Sequence, residues 1–312
     1  MQTVEVAFVY PIIRTDYIET SLRTLYENTD INKFKVIVID QSIEGLPKWI
    51  IEKYIYLYMR MENEGFSRAS NTGIIQALHR QVPYIGVVND DTEFMYPTWW
   101  EDLLEEFKTD EKIVAVCPES PRVAGWGYGL SPDKYIEVIA HKDKFTPEDI
   151  AYLKSGKYDA AEIQSRHDFT IPKTFPFTKS GVVDAIAMWC PIFKREAFIE
   201  LGLFEERFVW GGGEDYDMNA RAYSCAFPID REECDPRFHR RMVSSMKSWV
   251  WHHWGQSKDV KSTLNPKLFE GKKPWNDNGK LWTPKFDVWG HYEENGVRKP
   301  IKRLIPPLIE PL

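Results

Sequence analysis

Three short stretches of this chain carry side chains whose types and spacing could do chemistry. The first is Asn89-Asp90-Asp91-Thr92, directly after the apolar run Tyr84–Val88. Adjacent carboxylates at the end of a buried strand repel each other and lose hydration, and a cation between them relieves both costs. An open, oxygen-rich site of this kind suits Mg2+ or Mn2+ bound mostly through the phosphates of a substrate. The second is Trp210-Gly211-Gly212-Gly213-Glu214-Asp215-Tyr216-Asp217, beyond which Met218, Ala222 and Tyr223 continue as a helical stripe. The glycines let backbone approach a ligand closely. Glu214 and Asp215 then stand near a helix N-terminus, whose dipole favours the ionised carboxylate while burial opposes it. A carboxylate within hydrogen-bond reach of an attacking hydroxyl is what general-base catalysis requires. The third is Trp249–Ser257 (WVWHHWGQS), where a neutral imidazole could complete a metal shell begun by a carboxylate. Taken alone, each has an everyday explanation: a polar turn, a capped helix, a buried aromatic cluster with satisfied histidines.

The elements that must hold these groups alternate in type. Val4–Tyr10 is a short apolar run closed by Pro11. Asp16 then precedes Glu19 at capping-box spacing, ahead of a stripe of Ile18, Leu22, Leu25 and Tyr26. Lys35–Asp40 is a β-branched run of the type buried on both faces of a sheet. Strand, helix, strand implies a parallel pair with a right-handed crossover. The pattern predicts a helix over Ser67–His79, a strand over Tyr84–Val88, a helix opened by Pro97 with Trp100, Leu103, Leu104 and Phe107 on one face, and a fourth strand over Ile113–Cys117. The fold class is α/β: a central, mostly parallel sheet with helices on both faces and ligand groups gathered where strands end. Residues 119–180, rich in Gly, Pro, Lys and Asp, read as an irregular insertion. Strand-like Val182–Phe193 and helix-like Lys194–Leu201 follow, and 258–312 reads as an extended, wrap-around C-terminal extension.

Composition narrows the classes. With 312 residues, 43% of them hydrophobic, there is enough apolar material for one large core or two lobes. A formal charge of −7 argues against a nucleic-acid partner. Lys and Arg outnumber Asp and Glu in 258–312, which reads as a solvated tail, with peripheral contact to an anionic membrane surface as the alternative. The four cysteines form no C-x-x-C pair, which speaks against a disulfide framework and fits a reducing cytosol. The N-terminus lacks a basic n-region, and no run of 18 apolar residues occurs, so the expectation is a soluble, cytoplasmic protein.

The order of the pieces resembles the family 2 glycosyltransferases, and within them the branch of rhamnosyl- and galactofuranosyl-type enzymes. The matching segments are VAFVYPIIR at 6–14, KVIVIDQS at 35–42, ENEGFSRASNTGI at 62–74, VVNDDTEF at 87–94, WGGGEDYDMNAR at 210–221 and HHWGQS at 252–257. The resemblance implies the GT-A fold over 1–257, with a nucleotide-binding half at 1–118, the insertion at 119–180 and an acceptor half at 181–257. It implies that Asp40 contacts the nucleotide base, that Asn63, Gly65 and Asn71 line the nucleotide, and that Asn89 and Asp90 stand with Asp91 at the family's D-x-D position. Asp91 would ligate Mn2+ or Mg2+. Asp215 would be the base, with Glu214 beside it touching acceptor, and Trp189, Trp210 and Gly212 would line the acceptor. His252 or His253 would approach the metal or phosphate, the spacing to Ser257 favouring His252. The loop after the first strand departs from the family's pattern: Pro11 and Arg14 of YPIIR face the donor in place of the usual polar run. The implied reaction is inverting transfer from a UDP-, GDP- or dTDP-sugar to a glycan or other hydroxyl acceptor.

Three rival readings fit less well. A sugar-nucleotidyltransferase wants a Gly-rich basic loop after the first strand, and YPIIRTD offers one Arg and no glycine. A dinucleotide oxidoreductase needs G-x-G-x-x-G there. A non-catalytic carbohydrate-binding protein would use some of the 12 tryptophans, but has no need of two acidic clusters.

Overall fold

The first strand, β1 (Val6–Ile12), is buried at every position because it lies inside the sheet, between two parallel neighbours. β2 (Phe34–Asp40) pairs with its whole length, Val6 opposite Phe34 through Ile12 opposite Asp40. β4 (Tyr84–Val87) pairs only with Val6–Val9. This difference explains why Pro11 does not close the strand as the sequence suggested. Val88 N–H donates to Val9 O and Gln41 N–H donates to Ile12 O, so alternate residues face opposite neighbours. Pro11 therefore turns its nitrogen to the β4 side, beyond the end of that ladder, where no hydrogen bond is lost.

The computed structural model describes residues 4–94, 97–119, 186–206, 208–209, 213–223 and 240–253, together with short strands at 285–286, 291–294 and 297–300. β3 (Leu57–Arg60), β6 (Ile113–Glu119), β7 (Ile192–Lys194) and β8 (Arg241–Trp249) complete a seven-stranded sheet of order β3-β2-β1-β4-β7-β6-β8. β7 alone in that sheet runs antiparallel to its neighbours β4 and β6. The fold is α/β with a mostly parallel sheet, as the sequence implied. Helices cover both faces. Phe8 packs on Trp99 and Trp100 of α4 (Trp99–Thr109), and Tyr10 meets Ser21 of α1 (Ile18–Asn28), so the even-numbered side of β1 carries those two helices. On the opposite side, Gly73 of α3 (Phe66–His79) lies so close to Val9 that a Cβ there would meet its Cγ1 at 2.2 Å.

Several local expectations change. Asp16 does not cap α1; its carboxylate instead binds Arg14, and the N-cap residue is Tyr17 with no side-chain cap. α4 begins at Trp99, two residues after Pro97. The strand expected over Val182–Phe193 is found only at Ile192–Lys194; ahead of it Trp189 O and Pro191 O still accept from Asn89 and Val87 N–H, while Ile186 is held by the Asn219 side chain, and residues 182–185 lie outside the described set. The helix over Lys194–Leu201 is found as α5 (Arg195–Glu200). α2 (Lys48–Tyr54) and β3 were not anticipated. In the tail, β10 (Lys285–Phe286), β11 (His291–Glu294) and β12 (Val297–Pro300) form a three-stranded antiparallel sheet, so that part is not simply extended chain. Strands of two to four residues are too short to show a period, although Asn295-Gly296 between β11 and β12 is a strong hairpin dipeptide. Among the described residues no helix is long and apolar enough to cross a membrane.

Candidate functional site

The C-terminal ends of parallel strands β1, β2, β3, β4, β6 and β8 share one edge of the sheet, and the N-terminal end of antiparallel β7 meets them there. Arg14, Asp40, Asn63 and Asn89-Asp90-Asp91 leave from that edge, as do Trp189 before β7 and His252 after β8.

The Asn89–Asp91 turn is held from several directions. Thr92 and Glu93 form β5, which pairs antiparallel with β9 (Trp251–His252), setting Thr92 opposite His252. His253 N–H donates to Asp91 O at 2.9 Å. Thr92 Oγ1 donates to Asn89 O at 2.8 Å, and Ser21 Oγ lies 3.3 Å from Thr92 Oγ1. Thr24 Oγ1 accepts from Phe94 N and Asn28 Nδ2 donates to Phe94 O, so Ser21, Thr24 and Asn28 make one polar stripe of α1 beneath the turn. Such a stripe of small polar residues facing inward gives no apolar period in the sequence.

Strand pairing places the two histidines differently. His252 Nε2 lies 3.1 Å from Asp91 Oδ1 and 3.3 Å from Asn89 Nδ2, and its ring stacks on Trp189 at 5.1 Å between centroids and 13° between planes. Trp189 O in turn accepts from Asn89 N–H at 2.8 Å. His253 turns to Glu93, Nε2 to Oε1 at 2.5 Å, with Tyr17 against its ring. Of the two candidates His252 is therefore the one beside the acidic turn. The Glu93–His253 pair was not foreseen, since only the β5–β9 register brings the two together.

The two aspartates of the turn differ in charge preference. Burial pushes the Asp90 carboxyl well above the usual range, and the Asp91 charge beside it adds to the shift, with Arg14 opposing both. Burial also raises Asp91, but the neighbouring His252 and His253 outweigh it and hold the carboxyl below its ordinary value. Asp91 is thus the ready anion of the pair. Among the described residues no group of three or more His, Cys, Asp or Glu converges as a metal cage. One carboxylate and one imidazole do meet, and that donor set fits a hard divalent cation whose remaining positions are filled by phosphate oxygens and water.

The second acidic group stands where the sequence placed it. Glu214 and Asp215 open α6 (Glu214–Tyr223) and both are buried. Gly213 has φ +106°, and a Cβ there would meet the Phe208 ring at 2.4 Å. Its N–H donates to Asp215 Oδ1 at 3.1 Å. Deeper in α6, Asp217 and Arg221 form a fully buried ion pair at 2.6 Å, and Arg221 Nη1 also donates to Leu201 O. Trp210 and Gly212 lie outside the described residues.

A short structural path joins the two acidic groups. Asn219 Nδ2 donates to both Asp215 O and Ile186 O, at 2.7 Å each, and Asn219 Oδ1 accepts from Ile186 N–H. Three residues on, Trp189 binds Asn89 and stacks on His252. Three residues of chain span at most ~11 Å. The segment 186–189 therefore bridges Asp215 and the Asn89–Asp91 turn within a single short stretch.

The remaining donor-side candidates separate. Asp40 is fully buried, with Oδ1 accepting from Ser42 N–H at 2.7 Å and Oδ2 accepting from Tyr58 OH. Asn63 Oδ1 accepts from Gly65 N–H, and Glu64 N–H donates to the Gln41 side chain, so this loop lies beside the end of β2. Pro11 is buried inside β1. Asn71 lies in the second turn of α3 and binds the backbone of Phe204.

A family model described as glycosyl transferase family 2 matches residues 13–175. No curated protein matches the chain by sequence. Among solved structures it is similar to GalNAc-T7 crystallised with UDP, GalNAc and Mn2+, at 14% identity and TM-score 0.50, over 80% of this chain and 44% of that one. It is also similar to residues 1–349 of S. aureus TarS (13% identity, TM-score 0.47, 86% and 63% of the two chains). A third is the mannosyltransferase PcManGT from Pyrobaculum calidifontis in complex with GDP-Man and Mn2+ (15%, 0.49, 81% and 58%). The chain thus spans less than two thirds of each of these proteins, and identities this low speak to the fold alone. The family match extends over more than half of the sequence and takes in α1, the loops after β2 and β3 and the Asn89–Asp91 turn: the chain belongs to glycosyl transferase family 2.

Proposed function

We propose that this protein is a metal-dependent, inverting glycosyltransferase that moves a sugar from a nucleoside-diphosphate sugar to an acceptor hydroxyl. The observation that supports the reading is Asp91 against His252 at the strand ends, with residues 186–189 linking that turn through Asn219 to the Asp215 backbone at the start of α6. A nucleic-acid or purely structural role has no use for that arrangement.

Asp40 and Arg14 stand at the ends of β2 and β1 as the groups that meet the nucleotide, and Asn63 and Gly65 line it from the end of β3. Asp91 and His252 would hold a divalent cation, Mn2+ or Mg2+, and such an ion would supply Lewis-acid neutralisation of charge on the departing diphosphate. Stacking on Trp189 fixes the imidazole plane so that Nε2 faces Asp91. Asp215 takes the proton of the acceptor hydroxyl as that oxygen bonds to the anomeric carbon, and Glu214 orients the acceptor. The carbon–oxygen bond to the diphosphate breaks in the same step, its electron pair leaving with the phosphate, so the anomeric configuration inverts. The donor is a UDP-, GDP- or dTDP-sugar and the acceptor a glycan or other hydroxyl compound.

The test is NMR of UDP-, GDP- and dTDP-sugars incubated with the protein and Mn2+, with and without sugar acceptors. The reading expects one donor to be consumed and a product of inverted configuration to form. Stability of every donor, or retention in the product, would count against it.

A further inference from the structure

The N-terminal half of α3 grips the chain that leads into the acidic pair. Asn71 makes a two-point clamp on Phe204: its Nδ2 donates to Phe204 O and its Oδ1 accepts from Phe204 N–H, both at 2.9 Å. One turn earlier, Ser67 Oγ donates to Phe208 O at 3.0 Å. Between them Arg68 Nε donates to Glu206 Oε2 at 3.0 Å. At the head of the helix Gly65, with φ +89°, touches the next residue: a Cβ there would sit 2.1 Å from Val209 O. Positions 65, 67, 68 and 71 thus follow the chain from Phe204 to Val209 almost residue by residue. Four residues beyond Val209, Gly213 hands over to Glu214 and Asp215.

We infer that Ser67 and Asn71 are positioning residues for the Asp215 base, acting through the segment 204–209, and that they do not serve as donor contacts. The inference rests on the transferase reading above. The Asn71 amide is spent on the same segment, Oδ1 and Nδ2 on the Phe204 backbone and Nδ2 also on Glu206 Oε1 at 3.2 Å, and Asn71 and Ser67 are each buried to within a few per cent. A side chain committed in this way to a neighbouring backbone sets where that backbone goes. The same helix begins at the donor-side loop, where Asn63 and Glu64 fold against the end of β2. α3 therefore fixes the spacing between the nucleotide loop and the acid loop as one rigid part. A base displaced by ~1 Å loses rate about 10²-fold while a ligand bound elsewhere is untouched.

The test compares Ser67→Ala, Ser67→Thr and Asn71→Asp with wild type and with Asp215→Asn. Three quantities are read: turnover of the consumed donor, affinity for the matching nucleoside diphosphate with Mn2+, and melting temperature. Ser67→Ala is expected to lose about 10- to 100-fold in kcat with nucleotide affinity within about twofold of wild type. Ser67→Thr, which keeps the hydroxyl, recovers most of the rate. Asn71→Asp, which keeps the bond from Phe204 N–H but loses both bonds donated by Nδ2 and sets a charge beside Glu206, loses at least as much rate as Ser67→Ala. Because Ser67 acts through Asp215, adding Ser67→Ala to Asp215→Asn costs little further rate. If Asn71→Asp does not fold, the Ser67 pair and the double variant decide. Unchanged kcat in Ser67→Ala overturns the inference, as do a loss of nucleotide affinity that matches the loss of rate and full additivity with Asp215→Asn. A wild type that consumes no donor overturns the transferase reading itself, and the positioning role with it.

Discussion

The two acidic stations are anchored by different means. The Asn89–Phe94 stretch is fixed main chain to main chain: β5 pairs with β9, His253 N–H binds Asp91 O, and Asn89 N–H binds Trp189 O. Side chains of α1 only reinforce it. The Phe204–Val209 stretch is gripped by side chains of α3 on a backbone that, among the described residues, forms no extended ladder, and the last described residue before the acids is a glycine with positive φ. Backbone pairing is indifferent to side-chain identity, so the metal-side turn should tolerate loss of any single prop. A loop held by a few hydroxyl and amide groups should not. In this account the donor site is a fixed part of the sheet edge, whereas the base is set in place by a separate and more fragile clamp.

The largest expected effect lies on the clamp side. Asp215→Asn should lower turnover by about 10²–10⁴-fold, the usual contribution of a positioned base, with nucleotide binding retained; near-normal rate would remove Asp215 from the role and dissolve the comparison. Next comes the buried ion pair below it. Arg221→Met removes the cation that faces buried Asp217, and urea denaturation should show a loss of about 3–5 kcal/mol. A loss below about 1 kcal/mol would mean that α6 is anchored elsewhere. Gly65→Ala pushes a methyl group against Val209 O and should destabilise by roughly 1–3 kcal/mol, with turnover falling further than folding stability alone explains. The smallest effect belongs to the metal side. Ser21→Ala removes a buried hydroxyl that meets both Thr92 Oγ1 and Tyr10 OH, about 1 kcal/mol, and should leave turnover within about twofold of wild type. A large rate loss there would show that the α1 stripe, and not strand pairing, holds the turn.

Much of this was legible in the sequence where apolar residues follow a single period. β2, α3, β4, α4 and β6 were all anticipated to within a residue or two: the strands are almost wholly apolar, and each helix keeps enough apolar residues on one face to show its period despite buried Ser67, Ser70, Asn71 and Glu106. β8 was missed for the opposite reason. Its buried residues include Ser244, Ser245 and Ser248, and Ser245 donates to Glu106 while Ser248 donates to Trp99 O. A strand whose interior contacts are polar looks like a loop. β3 escaped because it is an edge strand with every residue at least partly exposed. In the site, Asp91, Asp215 and His252 were named because rare residue types sit beside strand and helix boundaries. Glu93 with His253, and Asn71 with Phe204, were beyond reach, since each pairing is created by a register or a helix face that no local pattern encodes.

The central claim is that Asp91 belongs to a donor site that works through a divalent cation and that Asp215 does not. Nucleotide-induced stabilisation, measured for wild type, Asp91→Ala and Asp215→Asn with and without Mn2+, tests it most directly. A nucleoside diphosphate at 100 times its Kd should add ~2.7 kcal/mol to wild type and to Asp215→Asn only when Mn2+ is present. Asp91→Ala should show no dependence on the metal. An Asp91→Ala protein that keeps the full Mn2+-dependent stabilisation would contradict the account.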